Sequence, residues 1–108
     1  MNIKYNYIQP ISLQEFAERY NLTMVVNERD HRIGGVERFY AEFEDCEVRD
    51  GALLISAIGN GHDEFDAIEN YARSISGRTL VMTMPGKQVV IPVPKLKPYV
   101  ATQAEIRP

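Results

Sequence analysis

Gly59-Asn60-Gly61-His62-Asp63-Glu64-Phe65-Asp66-Ala67 marks the point where an apolar strand gives way to the first turn of an amphipathic helix. A helix start of this kind can hold phosphate, because its unpaired N–H groups point at the ligand and the helix dipole favours negative charge. Here the first turn carries Asp63, Glu64 and Asp66 in place of lysines. These carboxylates suit the dipole themselves and repel an incoming phosphate. Gly59 and Gly61 read as the sharp turn from strand to helix. They form neither a dinucleotide fingerprint nor a P-loop, because the third glycine and the Gly-Lys-Ser/Thr ending are absent.

Downstream of the junction, the spacing predicts a helix over Asp63–Ser76. Phe65, Ile68, Ala72 and Ile75 share one face, Tyr71 sits at its edge, and Gly77 closes the end. Asp66 with Asn70, or Glu69 with Arg73, supplies i,i+4 neighbours on the exposed side. Two short strands follow, Thr79–Met84 and Gln88–Val93, turning at Pro85-Gly86. Pro92 and Pro94 assign the second to a sheet edge or an extended arm.

Upstream, Ala52–Ile58 reads as an apolar strand that returns from a tight turn at Asp50-Gly51. Its partner is Arg38–Val48. There Phe39, Ala41 and Phe43 point one way, and Arg38, Tyr40, Glu42 and Glu44 the other. Leu22–Arg29, with Val25-Val26, is a further strand, and Asp30–Val36, with Gly34-Gly35, a loop. Before these, Ser12 and Glu15 have the spacing of a capping box, and Ile11 and Phe16 that of a hydrophobic staple. They predict a short helix over Leu13–Tyr20, ended by Asn21. The order α-β-β-β-α-β-β predicts an α+β domain over residues 1–94: one mainly antiparallel sheet with both helices packed on one face. Residues 95–108 read as a polar, proline-containing tail.

A chain of 108 residues fits one domain able to bury a core without metal or disulfide. Its apolar runs fall far short of the ~20 residues of a membrane span. Met1–Gln9 lacks the basic and apolar regions of an export signal. The lone cysteine, Cys46, lies among Glu44, Asp45 and Glu47, where a thiolate is disfavoured; it reads as a half-buried strand thiol in a reducing compartment. A cytoplasmic address is therefore expected. The net charge is −3. Acidic residues crowd Glu42–Asp50 and Asp63–Glu69, while Arg29–Arg38 and the tail carry bases, so a polyanion meets no continuous basic stripe.

Catalysis is not expected. Two histidines, His31 and His62, and one cysteine show no zinc-ligand spacing, and no metal or other cofactor is implied. His62 reads as a neighbour of the helix cap, and Ser56 and Ser74 have no base to activate them. Carboxylates on exposed faces stay ionised, the wrong state for a general acid.

The element order resembles the double-stranded RNA-binding domain. Pro10-Ile11-Ser12-Leu13-Gln14-Glu15-Phe16-Ala17 looks like the entry to that family's first helix. Gly59-x-Gly61-x-Asp63-Glu64-Phe65-x-Ala67 matches its G-x-G-x-S-K-K-x-A junction in glycine and alanine spacing, with Glu64 and Phe65 where the family has RNA-contacting lysines. His31 lies in the loop that bears a histidine in the family, out of register with it. Over Arg38–Gly77, the pattern Gly61-x-Asp63-x-x-Asp66-Ala67 followed by Glu69-Asn70 is similar to HicB-type antitoxins, whose domain blocks a small toxin nuclease. The helix end Tyr71-Ala72-x-x-Ile75-Ser76-Gly77 also resembles small accessory proteins of temperate phages and prophages.

The resulting expectation is a non-catalytic protein-binding module acting through an acidic, tyrosine-bearing surface. The resemblance to phage proteins implies an inhibitor of a host nucleic-acid-handling or defence protein. The partner-binding residues expected are Tyr40, Glu42, Glu44, Asp63, Glu64 and Asp66. No nucleic acid or membrane partner is expected, and a homodimer through a strand edge is a further option. Two alternatives remain open. One is a stand-alone HicB-like antitoxin, the other a weak double-stranded nucleic-acid binder using Arg29, Arg32 and Arg38 with Lys95-Leu96-Lys97.

Overall fold

A computed structural model of the chain describes residue 2, residues 10–29 and residues 37–97. The expected loop with His31 and Arg32 and the tail beyond Lys97 lie outside the described residues. Two helices and seven strands follow in the order α1 (Leu13–Tyr20), β1 (Met24–Glu28), β2 (Phe39–Phe43), β3 (Cys46–Asp50), β4 (Leu53–Ile55), β5 (Gly59–Gly61), α2 (Glu64–Ile75), β6 (Thr79–Met84) and β7 (Lys87–Pro92). The class is α+β with antiparallel sheets.

Helix α1 begins where Ser12 accepts the Glu15 N–H at 3.0 Å, and it ends at Asn21, which adopts φ 54°. The Glu15 carboxylate meets the Ser12 hydroxyl at 3.2 Å, so the capping box closes through side chains. Leu13 and Phe16 are the residues that α1 buries.

The single expected sheet is two sheets. One has the order β1-β2-β5, the other β4-β3-β6-β7. Their separation lies in the hairpin that the sequence presents as two long strands. Around the Gly51-Ala52 turn, Asp50 pairs with Leu53 and Val48 with Ile55; farther along, Ala41 pairs with Gly59. Between those pairs the six residues Glu42–Glu47 face only the three residues Ser56–Ile58. The surplus forms a turn at Glu44-Asp45, where Asp45 takes φ 62°. Backbone bonds pin this turn on both sides: Glu44 N–H donates to Thr23 at 2.9 Å, and Thr83 N–H donates to Asp45 at 3.0 Å. An insertion of this kind bends a strand and ends its pairing, so the two halves join different sheets.

Phe43 sits where the elements meet. Its ring lies 6.2 Å from Phe16 of α1 and makes an edge contact with Tyr71 of α2 at 5.4 Å. Val48, Leu80 and Ile91 continue the same core under the four-stranded sheet. Tyr71, expected at the helix edge, is only 1% exposed, whereas Phe65 and Ile68 are half-buried. The buried stripe of α2 is therefore turned toward Ala67, Tyr71, Ala72 and Ile75.

The cause is β5. Gly59 and Gly61 lie within a strand against α2, so they do not serve as the turn the sequence suggested. A Cβ on Gly59 would fall 2.2 Å from the Tyr71 nitrogen, and one on Gly61 2.2 Å from the Ala67 nitrogen. Only hydrogen at both positions lets helix and strand backbones come this close.

Beyond β7, which is the sheet edge its Pro92 implied, the chain remains tied to the fold. Ile11 and Leu96 form a parallel bridge, Leu96 is buried, and its N–H donates to Ser76 Oγ at 2.9 Å. The stretch expected as a tail from Lys95 thus opens with three residues held against the entry to α1.

Gly61→Ala is expected to cost about 3 kcal/mol or more in urea unfolding, because its methyl group meets backbone that cannot yield. Gly86→Ala is the matched control: at φ 78°, with nothing near the added carbon, it should cost about 1–2 kcal/mol.

Candidate functional site

At the start of α2 the acidic residues are put to structural use. Asp63 is the N-cap and accepts the Asp66 N–H at 2.7 Å. Asp66 reaches back to the His62 N–H at 3.2 Å, and its carboxylate lies 3.0 Å from His62 Nδ1. On the other side of the ring, Nε2 is 3.4 Å from Asp63. Glu64 is exposed in the same first turn. One N–H of the first turn, that of Asp66, is thus served by the cap, and three carboxylates surround the helix end.

The other expected residues lie elsewhere. Tyr40 and Glu42 occupy the face of β2 opposite Ala41 and Phe43, and Glu44 is exposed in the turn after β2. Since β2 runs away from Gly61, with Phe39 paired to it, Glu42 and Glu44 lie three and five residues farther along the strand direction. At roughly 3.3 Å per residue this separates them from the start of α2 by about 10–16 Å. The six residues therefore form two groups.

Tyr40 is occupied: the Arg29 guanidinium lies 4.5 Å from the centre of its ring. Arg29 also donates to Asn60 Oδ1 at 2.8 Å and to the Glu37 carbonyl at 2.6 Å, and Asn70 donates to the Asn60 carbonyl at 2.6 Å. Arg38 is ion-paired with Glu28 and lies over Phe39. Two of the arginines suggested for nucleic-acid contact are thus engaged within the fold. The expected Glu69–Arg73 pair is present at 2.8 Å.

A second acidic feature was only partly foreseen. At the three-for-six mismatch between the strands, Glu42, Asp45 and Glu47 border an open depression together with Phe43, Cys46, Ser56 and Thr83. Asp45 and Glu47 were visible only as members of an acidic run. The missed signal is a change of parity: inward residues are odd through Phe43 and even from Cys46. That shift turns Asp45 and Glu47 to the same side.

Cys46 is buried more fully than expected. Burial first, then the charges of Asp45 and Glu42, push its thiol from 9.0 up to about 11. Burial likewise pushes the Tyr71 hydroxyl from 10.0 up to about 12, while its hydrogen bond to the Phe43 backbone and the charges of Cys46 and Glu42 are lesser influences. Neither side chain is an available nucleophile or base near neutral pH. Among the described residues, no three His, Cys, Asp or Glu side chains converge to hold a metal, and no helix is long and apolar enough to cross a membrane. No family model, curated protein or solved structure matches the chain.

Two outcomes follow for these groups. Asp63→Ala should cost about 1 kcal/mol through loss of the cap, read as a lower thermal midpoint. Cys46 and Tyr71 are acids held neutral by burial, and the unfolded chain releases their protons first. Their contribution is intact below pH 9.0 and lost as pH rises through about 11 and about 12. Urea midpoints should fall above about pH 9, and Cys46→Ala should flatten the first part of that fall.

Proposed function

We propose that this chain is a non-catalytic binding module that engages a basic site on a partner protein through its carboxylates. The observation that carries the reading is the acidic start of α2: Asp63 caps the Asp66 N–H, Asp66 accepts from His62, and Glu64 stands exposed beside them. This is the corner where a phosphate would have to enter, and it presents negative charge instead. Glu42, Asp45 and Glu47 add a second concentration of charge, on a rigid bend pinned by hydrogen bonds. Carboxylates fixed on strands and helix ends steer a cationic partner and favour one docking orientation.

A nucleic-acid-handling protein has the complementary chemistry, since its own anion-binding site accepts carboxylates held at suitable spacing. Together with the resemblance to phage accessory proteins, this extends the proposal to an inhibitor of such a host enzyme or defence protein. The competing nucleic-acid reading is weakened by the engagement of Arg29 with Tyr40 and Asn60 and of Arg38 with Glu28.

Fluorescence anisotropy with duplex RNA, duplex DNA and single strands at low salt separates the two. The expected result is no change for any of them up to high micromolar protein. Submicromolar binding that weakens steeply with salt would overturn the proposal. In affinity capture from the natural host, the double reversal Glu64→Lys with Asp66→Lys should reduce recovery of the bound protein at least tenfold; undiminished recovery would move the interface away from α2.

A further inference from the structure

The two edges of the four-stranded sheet are treated differently by the sequence. Edge β7 carries Lys87, Gln88 and Pro92, residues that discourage strand addition. Edge β4 is Leu53-Leu54-Ile55, with no charge and no proline. Its side chains are 68%, 39% and 41% exposed, and no strand pairs with its outer side among the described residues.

The geometry of β4 specifies what would add to it. Asp50 and Leu53 close the hairpin about Gly51, which takes φ 61° as a II′ turn requires. Hydrogen-bonded and non-bonded pairs alternate along an antiparallel ladder, so the next residue, Leu54, turns its backbone N–H and C=O outward. The two faces beside that edge differ in chemistry. Leu53 and Ile55 share the face of Val48 and Leu80, which is the core side. The opposite face carries Glu47 and leads through Ser56 into the depression bordered by Glu42 and Asp45; Arg49, paired with Leu54, stands at the other end.

We propose that β4 is the docking edge for an extended segment of a partner protein with alternating apolar and basic side chains. Its backbone pairs with Leu54. Its apolar residues extend the core layer beside Leu53 and Ile55, and its basic residues reach Glu47, Asp45 and Glu42. A second copy of this chain is the wrong occupant. Its β4 is Leu53-Leu54-Ile55, so a β4–β4 pair brings no basic side chain on the added strand to meet Glu42, Asp45 and Glu47. This inference rests on the acidic-surface reading above and concerns its second concentration of charge, at Glu42, Asp45 and Glu47.

The test uses the full chain, isotope-labelled for amide spectra, and two heptapeptides: alternating lysine and valine with lysine at both ends, and the same peptide with glutamate for lysine. The lysine peptide should bind with a dissociation constant on the order of 10–100 μM and shift the amides of Leu53, Leu54 and Ile55. The glutamate peptide should not bind. Leu54→Pro removes one outward N–H from an edge position where proline is tolerated, and should weaken binding at least tenfold. N-methylating the backbone nitrogens of the two inner lysines, one of which lies opposite Leu54 in antiparallel addition, should do the same without altering the protein. Glu42→Lys with Glu47→Lys should weaken binding by a similar factor.

Equal binding to the wild type, to Leu54→Pro and by the methylated peptide, lost only on charge reversal, would overturn the β4 edge and leave the acidic-surface reading standing. Equal binding of both peptides would overturn both readings. No binding by either peptide, or β4 shifts that follow protein concentration alone, would overturn this inference, the latter in favour of a dimer.

Discussion

The close approach of α2 to β5 governs the rest of the molecule. With hydrogen as the side chain at Gly59 and Gly61, the helix settles onto the strand until its own backbone is the contact surface. Ala67, fully buried, is small enough to permit this at the crossing. The depth gained there lets Tyr71 reach Phe43 in an edge-on aromatic contact and set its hydroxyl on the Phe43 backbone. Phe43 in turn touches Phe16, so the seating of α2 decides where α1 can pack. Packing at interior density transmits such a constraint from one element to the next.

The turn at Glu44-Asp45 is the second constraint, and it depends on the first. β2 stays with α2 because Ala41 and Phe43 face the helix; β3 leaves because three surplus residues break the ladder between them. After the bend, Cys46 and Val48 face the core of a different sheet. The bend also fixes the electrostatics. Glu42, Asp45 and Glu47 come to border one depression because the strand changes direction among them. Cys46 meets two of these charges while buried, which explains why its thiol is held neutral well above neutral pH.

What the sequence disclosed depended on how local the determining interaction was. Ser12, Asn21, Asp63 and Gly77 act within a turn of the helix they bound, so both helices were legible almost to the residue. Pro92 likewise marked β7 as an edge. Gly59 and Gly61 were visible but misread, because a glycine needed for a turn and one needed for backbone approach look identical without the partner helix. The same gap moved Tyr71 from the helix edge to the centre of the core. The parity change between Phe43 and Cys46 was present in the letters, yet an acidic run masked it as ordinary outward-facing charge. The candidate residues split in the same way. Asp63 and Asp66 were placed by local helix logic, whereas the grouping of Glu42 with Asp45 and Glu47 arises only from a long-range register mismatch.

The bend also accounts for the exposed strand. α2 covers β5 and β2, and the core continues under β3 and β6, but β4 lies on the other side of β3 from β6, at the edge of its sheet. A hairpin that stayed in one sheet would have carried Leu53–Ile55 along with the strands under α2. Splitting the sheet instead leaves three apolar side chains partly in water, at a cost of about 1 kcal/mol each relative to burial. The fold tolerates that cost at an edge bordered by Glu47 and by the depression that Glu42 and Asp45 share.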